Sequence, residues 1–312
     1  MSNIQFISSL TALLFLAACE SDYTELTIDS QGGSPVVACL AQAGSPVELS
    51  LGTTVAITDS ASSAPKSNLV YVFVSLQHPD GSEPLVEHFW CSADSSHFSF
   101  PNLVPAPCDS VFVSVRCGES ASGSVVIPAP PAITDVSSSD DGQLVTFELS
   151  FADSPDTADF YQVEVLRRHW LDGLQYDEAV NCNFSHYFFY VASSSLLSSS
   201  SSSLGLLTDV NFPGDAVTVS FSCASADLDF SLSSANADSA ASVIRLSRLS
   251  SDYYYFLLTA AYASSSNSLL SIFGSSELHS NVSGGYGIVG ARSSAEWVGS
   301  MSLANSNPDA VF

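Results

Sequence analysis

The sequence predicts a mainly β protein in two parts, with one amphipathic helix near its C-terminal end. Short apolar runs alternate with turn-forming residues, and within runs such as Val145–Leu149 apolar and polar side chains alternate. A chain of 312 residues that is 46% hydrophobic is long enough to bury a sizeable core. With 7 Lys+Arg against 32 Asp+Glu, its net charge of −25 excludes nucleic acid as a main partner, because phosphate binding depends on cations.

Residues 1–18 have the pattern of a lipoprotein signal peptide. Their apolar run is too short to span a membrane and ends in the small residues Ala17 and Ala18. Leu16–Cys19 resembles a lipobox, which implies cleavage before Cys19, lipidation of Cys19 and a short tether over residues 19–24. Since two or more acyl chains hold a domain durably on a bilayer, we expect the membrane to be a partner through this anchor.

If Cys19 is lipidated, the remaining cysteines are even in number and would meet an oxidising compartment. Two of them follow the proline-rich segment near residue 130, so pairing within each part joins Cys182 to Cys223. The connectivity of the other four stays open, and buried free thiols are the alternative for several of them. These four are Cys39, Cys91, Cys108 and Cys117.

Residues 25–127 are expected to form the N-terminal β domain. Proline and glycine in His78–Gly81 favour a hairpin turn. Residues 128–131 form a linker, because proline lacks the hydrogen that a β ladder requires. The expected strands are Glu25–Ile28, Val36–Ala41, Val47–Ile57, Leu69–Leu76, Leu85–Trp90, Phe98–Phe100, Val111–Val115 and Val125–Ile127.

Residues 132–312 are expected to form a larger β-rich domain with an irregular, Ser-rich insertion at 171–209. An Asp140–Gly142 turn follows the first strand of this part, and Ser250–Asp252 can cap a helix over about 251–264. The expected strands are Ile133–Val136, Leu144–Phe151, Phe160–Leu166, Ala216–Phe221 and Val243–Leu246, followed by two or three short ones around Ile288 and Val298.

The order of these features resembles a Bacteroidota lipoprotein family known as domain of unknown function 4249. The most specific piece is 280–291, whose SN-x-x-GG-x-G arrangement includes Asn281, Gly284, Gly285 and Gly287. Further matching pieces are the lipobox at Cys19 and the segments 34–37, 126–131, 159–161, 209–214 and the Tyr-rich helix from Ser251. The resemblance implies an outer-membrane lipoprotein, often encoded beside TonB-dependent transporters. It also implies an immunoglobulin- or transthyretin-like N-terminal sandwich, and it implies no established reaction.

Three motifs that could bind a cofactor or metal are assigned structural roles. Residues 285–290 match GxGxxG, but no βαβ unit surrounds them, so no dinucleotide and no other cofactor is expected. His88 and Cys91 would point to opposite faces of one strand, which argues against a metal site with His97. Asp153, Asp156 and Asp159 are expected to form a solvated turn rather than a calcium loop.

No catalytic residue is assigned, because no GxSxG elbow or comparable constellation occurs. The aromatic groups Phe89–Trp90, His169–Trp170 and Tyr187–Tyr190 are assigned to β cores, with stacking on a sugar or peptide as the alternative.

The leading functional hypothesis is a non-catalytic outer-membrane lipoprotein, periplasmic or surface-exposed. It would bind an extracellular ligand or assist a TonB-dependent transporter. One alternative is a surface hydrolase of glycans or peptides, using Asp172, Asp177, Glu178 or His186. The other is a structural adhesin.

Overall fold

The computed structural model describes residues 34–54, 69–92, 97–153, 158–184, 204–209, 216–228, 239–264 and 278–299. These residues form sixteen β-strands, one α-helix and a short 3₁₀ helix at Ser225–Leu228. The mainly β fold class is therefore confirmed.

The strands fall into two groups separated by the proline-rich segment. The first group is β1 (Pro35–Gln42), β2 (Val47–Thr53), β3 (Leu69–Gln77), β4 (Leu85–Ser92), β5 (His97–Phe100), β6 (Ser110–Cys117) and β7 (Glu119–Val126). The second group is β8 (Ala132–Asp140), β9 (Leu144–Ala152), β10 (Phe160–Leu171), β11 (Leu174–Val180), β12 (Cys182–Phe184), β13 (Leu206–Thr208), β14 (Ala216–Ala224), β15 (Ser239–Leu249) and β16 (Tyr286–Gly299), with helix α1 (Ser251–Ser264) between the last two.

The described strands form three sheets. A long sheet has the order β11-β10-β15-β16-β1-β2-β5, with β13 also paired to β10. The two shorter sheets have the orders β12-β14-β9-β8 and β4-β3-β6-β7. One core joins the β4-β3-β6-β7 sheet to β1, β2 and β5, and a second joins the β12-β14-β9-β8 sheet to β10 and β15. The long sheet is thus common to two sandwiches.

Strand β16 belongs to both sandwiches. Its first half pairs in parallel with β1, from Val36↔Tyr286 to Gln42↔Arg292, and its second half pairs antiparallel with β15, from Leu249↔Arg292 to Ser242↔Gly299. We expected two or three short strands here, which is wrong, because one strand of 14 residues runs across the junction. The division into residues 25–127 and 132–312 stays a prediction, and the shared strand links its two parts.

Both predicted hairpin turns are confirmed. At His78–Gly81 the Gly81 N–H donates to the His78 carbonyl, and Gly81 has a φ of +76°, which favours glycine. At Asp140–Gly142 the Asp140 carboxylate accepts from the Gly142 N–H at 2.8 Å. The predicted strand at 25–28 lies outside the described residues.

An irregular insertion was expected at 171–209, and this is wrong for the described part of it. Residues 174–180, 182–184 and 206–208 are strands β11, β12 and β13. Strand β11 forms an edge of the long sheet, and nearly all its residues are exposed. Because it has no buried face, it lacks the period-2 pattern that reveals other strands. The serine run 198–203 lies outside the described residues.

The helix expected over about 251–264 is confirmed as Ser251–Ser264. It packs on the long sheet, where Tyr254 is buried against Leu249 and Phe160. No helix in the described ranges combines the length and the apolar character needed to cross a membrane.

Candidate ligand-binding site

The outward face of the β4-β3-β6-β7 sheet carries a row of aromatic side chains. Valines on β3 point inward to the core, while Tyr71 and Phe73 alternate with them and point outward. Cross-strand pairing places Trp90 beside Tyr71 and His88 beside Phe73. On the other side of β3, Phe112 lies opposite Ser75.

These rings form a diagonal track across the sheet, which we call the aromatic track: Trp90, Tyr71, Phe73 and Phe112. The ring centroids of Trp90 and Tyr71 are 5.0 Å apart, and those of Phe73 and Phe112 are 6.2 Å apart. Trp90 is 64% exposed and Phe112 is 39% exposed. The track is therefore a solvent-facing row of two ring pairs, joined by the neighbouring positions of Tyr71 and Phe73 on the same face of β3.

Within the described strands β4, β3, β6 and β7, no outward position carries a carboxylate. The aromatic track is flanked by serines on β6 and β7 and by Arg116 at one corner. The chain has 32 acidic residues against 7 basic ones, so this face differs sharply from the protein's average surface. A face of rings, hydroxyls and one cation suits an uncharged ligand that carries hydroxyl groups.

The assignment of Phe89–Trp90 to the core is corrected by this geometry. Phe89 points inward and packs on Phe98 and Phe100, but Trp90 points outward. Of the other predicted aromatic groups, His169 and Trp170 are half-buried on β10, where His169 stacks on Tyr176. Residues 187–190 lie outside the described residues.

A cleft of about 370 Å³ opens where the track ends, between β6, β7 and the start of α1. Ser124, which lies opposite Phe112 in the β6–β7 register, lines this cleft. The opposite wall is formed by Ser250, Ser251 and Asp252. The aromatic face and the cleft thus form one continuous surface.

Asp252 is held in the cleft wall by the segment that precedes β16. Its carboxylate is hydrogen-bonded to His279 Nε2 at 2.8 Å and accepts from the Asn281 amide at 3.2 Å. Asn281 also donates to the Val289 carbonyl and accepts from the Val289 N–H, each at 2.9 Å. Asn281 therefore fixes the loop that fastens the helix start to β16.

The glycines of the same motif allow the loop to lie directly on the first sandwich. A Cβ at Gly284 would lie 2.2 Å from the Ser120 carbonyl oxygen, and one at Gly287 would lie 1.9 Å from the Val37 carbonyl oxygen. A Cβ at Gly285 would approach the Pro35 carbonyl oxygen to 2.5 Å. The three glycines thus have a packing role here, and the GxGxxG match lies in a β segment.

Gly284→Ala tests this close packing, with Gly81→Ala as its matched control. Gly284 has a φ of +75° and Gly81 has a φ of +76°, but a Cβ at Gly81 would have nothing within 4 Å. We expect Gly81→Ala to cost about 1 kcal/mol from backbone strain, and Gly284→Ala to cost about 2 kcal/mol more because a carbonyl must move. Chemical denaturation of both variants measures the difference, and equal losses would contradict the packing role.

The structure joins Cys182 and Cys223 in a disulfide between the neighbouring strands β12 and β14, with 4.4 Å between their Cα atoms. Both cysteines are buried in the second core. Cys39 instead is a buried free thiol in the first core, and burial raises its pKa to about 12. Cys19 lies outside the described residues.

Most of the chain's few cations lie on the long sheet. Arg168 donates to Asp177 at 2.7 Å and to Glu296 at 2.8 Å, and Arg245 bridges the same two acids. The hydrogen bond from Arg168 lowers the pKa of Asp177. The pKa of Glu296 is also lowered, because hydrogen bonds from Arg168 and Arg245 outweigh the effect of burial. We call these four residues the arginine–carboxylate cluster.

In the described part of the chain, the side chains of the hydrolase alternative do not form one site. Asp177 is engaged by two arginines, and Glu178 is paired with Arg167. Asp172 lies in the β10–β11 turn with a φ of 51°, and His186 lies outside the described ranges. The lowered pKa values of Asp177 and Glu178 keep both ionised, which does not suit a general acid.

The predicted metal-like and calcium-like residues have other partners. His97 is hydrogen-bonded to Ser50, and the ring of His88 lies 6.1 Å from that of Tyr71. Asp153 accepts from the Tyr161 hydroxyl and Asp159 pairs with Arg248, whereas Asp156 is not described. Across the described residues, no three His, Cys, Asp or Glu side chains are grouped to hold a metal ion.

Comparison with known proteins identifies one family, and the solved structures that are similar to the chain include two distant ones. The family described as "Domain of unknown function (DUF4249)" matches residues 23–296. No curated protein matches the chain. The crystal structure of the FN1–FN3 domains of chicken CNTN1 is 10% identical with a TM-score of 0.25, over 69% of this chain and 60% of that one. A mutant of Salmonella alpha-2-macroglobulin is 14% identical with a TM-score of 0.21, over 69% of this chain and 13% of that one. This chain thus spans less than two thirds of either matched chain.

Proposed function

The chain belongs to the family of domain of unknown function 4249, and we propose that it is a lipid-anchored outer-membrane protein that binds an extracellular ligand and delivers it to a TonB-dependent transporter. The observation that carries this proposal is the solvent-facing aromatic track on a face without carboxylates. Aromatic side chains exposed together in this way favour a binding surface over a merely structural one.

Two further observations support an extracytoplasmic location. The lipobox at Leu16–Cys19 supplies an anchor, and a disulfide such as Cys182–Cys223 persists in oxidising compartments. The excess of acidic residues favours solubility of the anchored domains outside the cell.

Crosslinking and affinity purification of the tagged protein from its own outer membrane test the proposal. We expect a TonB-dependent barrel in stoichiometric yield, and we expect deletion of the protein to reduce uptake by that barrel. Cys19→Ala should shift the protein into the soluble fraction, because it removes the acylated residue.

The variant Trp90→Ala separates ligand binding from association with the TonB-dependent barrel. It should reduce uptake while leaving co-purification of the barrel unchanged. The proposal is wrong if the wild-type protein is found off the membrane, or if the lipoprotein is recovered alone and its deletion leaves uptake unchanged.

A further inference from the structure

We infer that the ligand of the aromatic face is a neutral glycan chain that lies along the track from Trp90 to the cleft. This inference rests on the proposed binding function and adds the chemical class of its ligand.

The chemistry of the track matches a sugar ring. The faces of Trp90 and Tyr71 carry the negative side of the ring quadrupole, and the C–H bonds on the flat side of a pyranose are weakly positive. The serine hydroxyls on β6 and β7 both donate and accept, as sugar hydroxyls do. Arg116 and His88 add donors at the exposed end of the track.

The electrostatics favour a neutral chain over a charged one. A net charge of −25 repels polyanions. Among the described outward positions of this face, Arg116 is the one cation. A polycation would find no carboxylate on the same positions. Asp252 in the cleft wall, which is hydrogen-bonded to His279, provides a polar group where one end of the chain would lie.

The dimensions of the face suit a glycan chain. Four strands about 4.8 Å apart, with a rise of about 3.3 Å per residue, give a face about 14 Å wide and about 26 Å long. The diagonal from Trp90 to Ser124 is about 20 Å, which accommodates several consecutive sugar rings.

The test is calorimetric titration of the full mature protein with neutral hexasaccharides. The probes are α-1,4-glucan, β-1,4-glucan, β-1,4-mannan and β-1,4-xylan, with oligogalacturonate as the anionic counterpart. We expect at least one neutral probe to bind and the anionic probe not to bind. Trp90→Ala and Phe112→Ala should each weaken binding by about tenfold or more, as loss of an aromatic anchor does.

Tyr176→Ala is the matched control, because Tyr176 is an exposed aromatic residue on β11, an edge strand of the long sheet and not of the β4-β3-β6-β7 sheet. It should leave the affinity unchanged, and thermal unfolding verifies that each variant is folded. The inference is overturned if no neutral probe binds at millimolar concentration, or if Trp90→Ala binds as tightly as the wild type. Co-purification of the barrel is a separate readout. If no probe binds but the barrel is recovered, the glycan inference is rejected and the proposed transport function is retained.

Discussion

We expect Arg168→Met to lower the free energy of unfolding by about 3 kcal/mol, because it leaves two half-buried carboxylates without their main cation. The Arg168 side chain is only 9% exposed and donates to both Asp177 and Glu296. Asp177 lies on β11 and Glu296 on β16, the two strands that flank the β10–β15 pair. Methionine retains the aliphatic stem, so the loss reports the charge and its hydrogen bonds. Urea denaturation at neutral pH measures it.

Arg167→Met is the matched control for this experiment. Arg167 precedes Arg168 on the same strand and pairs with Glu178, but the Glu178 side chain is 58% exposed. Solvent screening reduces the value of such a pair, and we expect a loss well below that of Arg168→Met. Equal losses for the two variants would show that the arginine–carboxylate cluster contributes no more than a surface ion pair.

Removal of the Cys182–Cys223 disulfide has the other large expected effect. The bond closes a loop with a sequence separation of 41, and its loss should lower the free energy of unfolding by about 3–4 kcal/mol through the entropy of the unfolded chain. The double variant Cys182→Ala, Cys223→Ala keeps both positions apolar in the second core. Thermal unfolding with and without a reductant measures the effect.

The reductant provides the control within one experiment. It should lower the midpoint of the wild type to that of the double variant and leave the variant itself unchanged. An intact mass that shows both thiols reduced in the exported protein would contradict the claim.

The features that the sequence predicts well are those set by neighbouring residues. The His78–Gly81 and Asp140–Gly142 turns and the helix from Ser251 were predictable because proline, glycine and capping residues act on the adjacent backbone alone. The mainly β class followed from alternation, which reports a buried face directly.

Relations between distant segments were not predictable from the sequence. Strand β11 has no buried face, so nothing in residues 174–180 distinguishes it from a loop. The parallel pairing of β1 with β16 joins residues about 250 positions apart, and no local signal records it. Phe89 and Trp90 are neighbours on one strand and point to opposite faces, and cross-strand neighbours decide which of the two is exposed.

The candidate site shows the same limit. The aromatic track is assembled from β3, β4 and β6, and its continuity with the cleft depends on the position of α1. The single signal in the sequence that pointed toward it was the pair Phe89–Trp90, for which stacking on a ligand was the alternative.

Strand β16 sets the order in which the protein is able to fold. The first sandwich contains β1, whose parallel neighbour is supplied by residues 286–292, near the end of the chain. During synthesis from the N-terminus, β1 therefore lacks this neighbour until nearly the whole chain has been made. Pairing across so long a separation also slows folding, since the loop must close before the contact forms. A truncated chain that ends at the proline-rich linker lacks residues 286–292, so its β1 keeps only β2 as a neighbour.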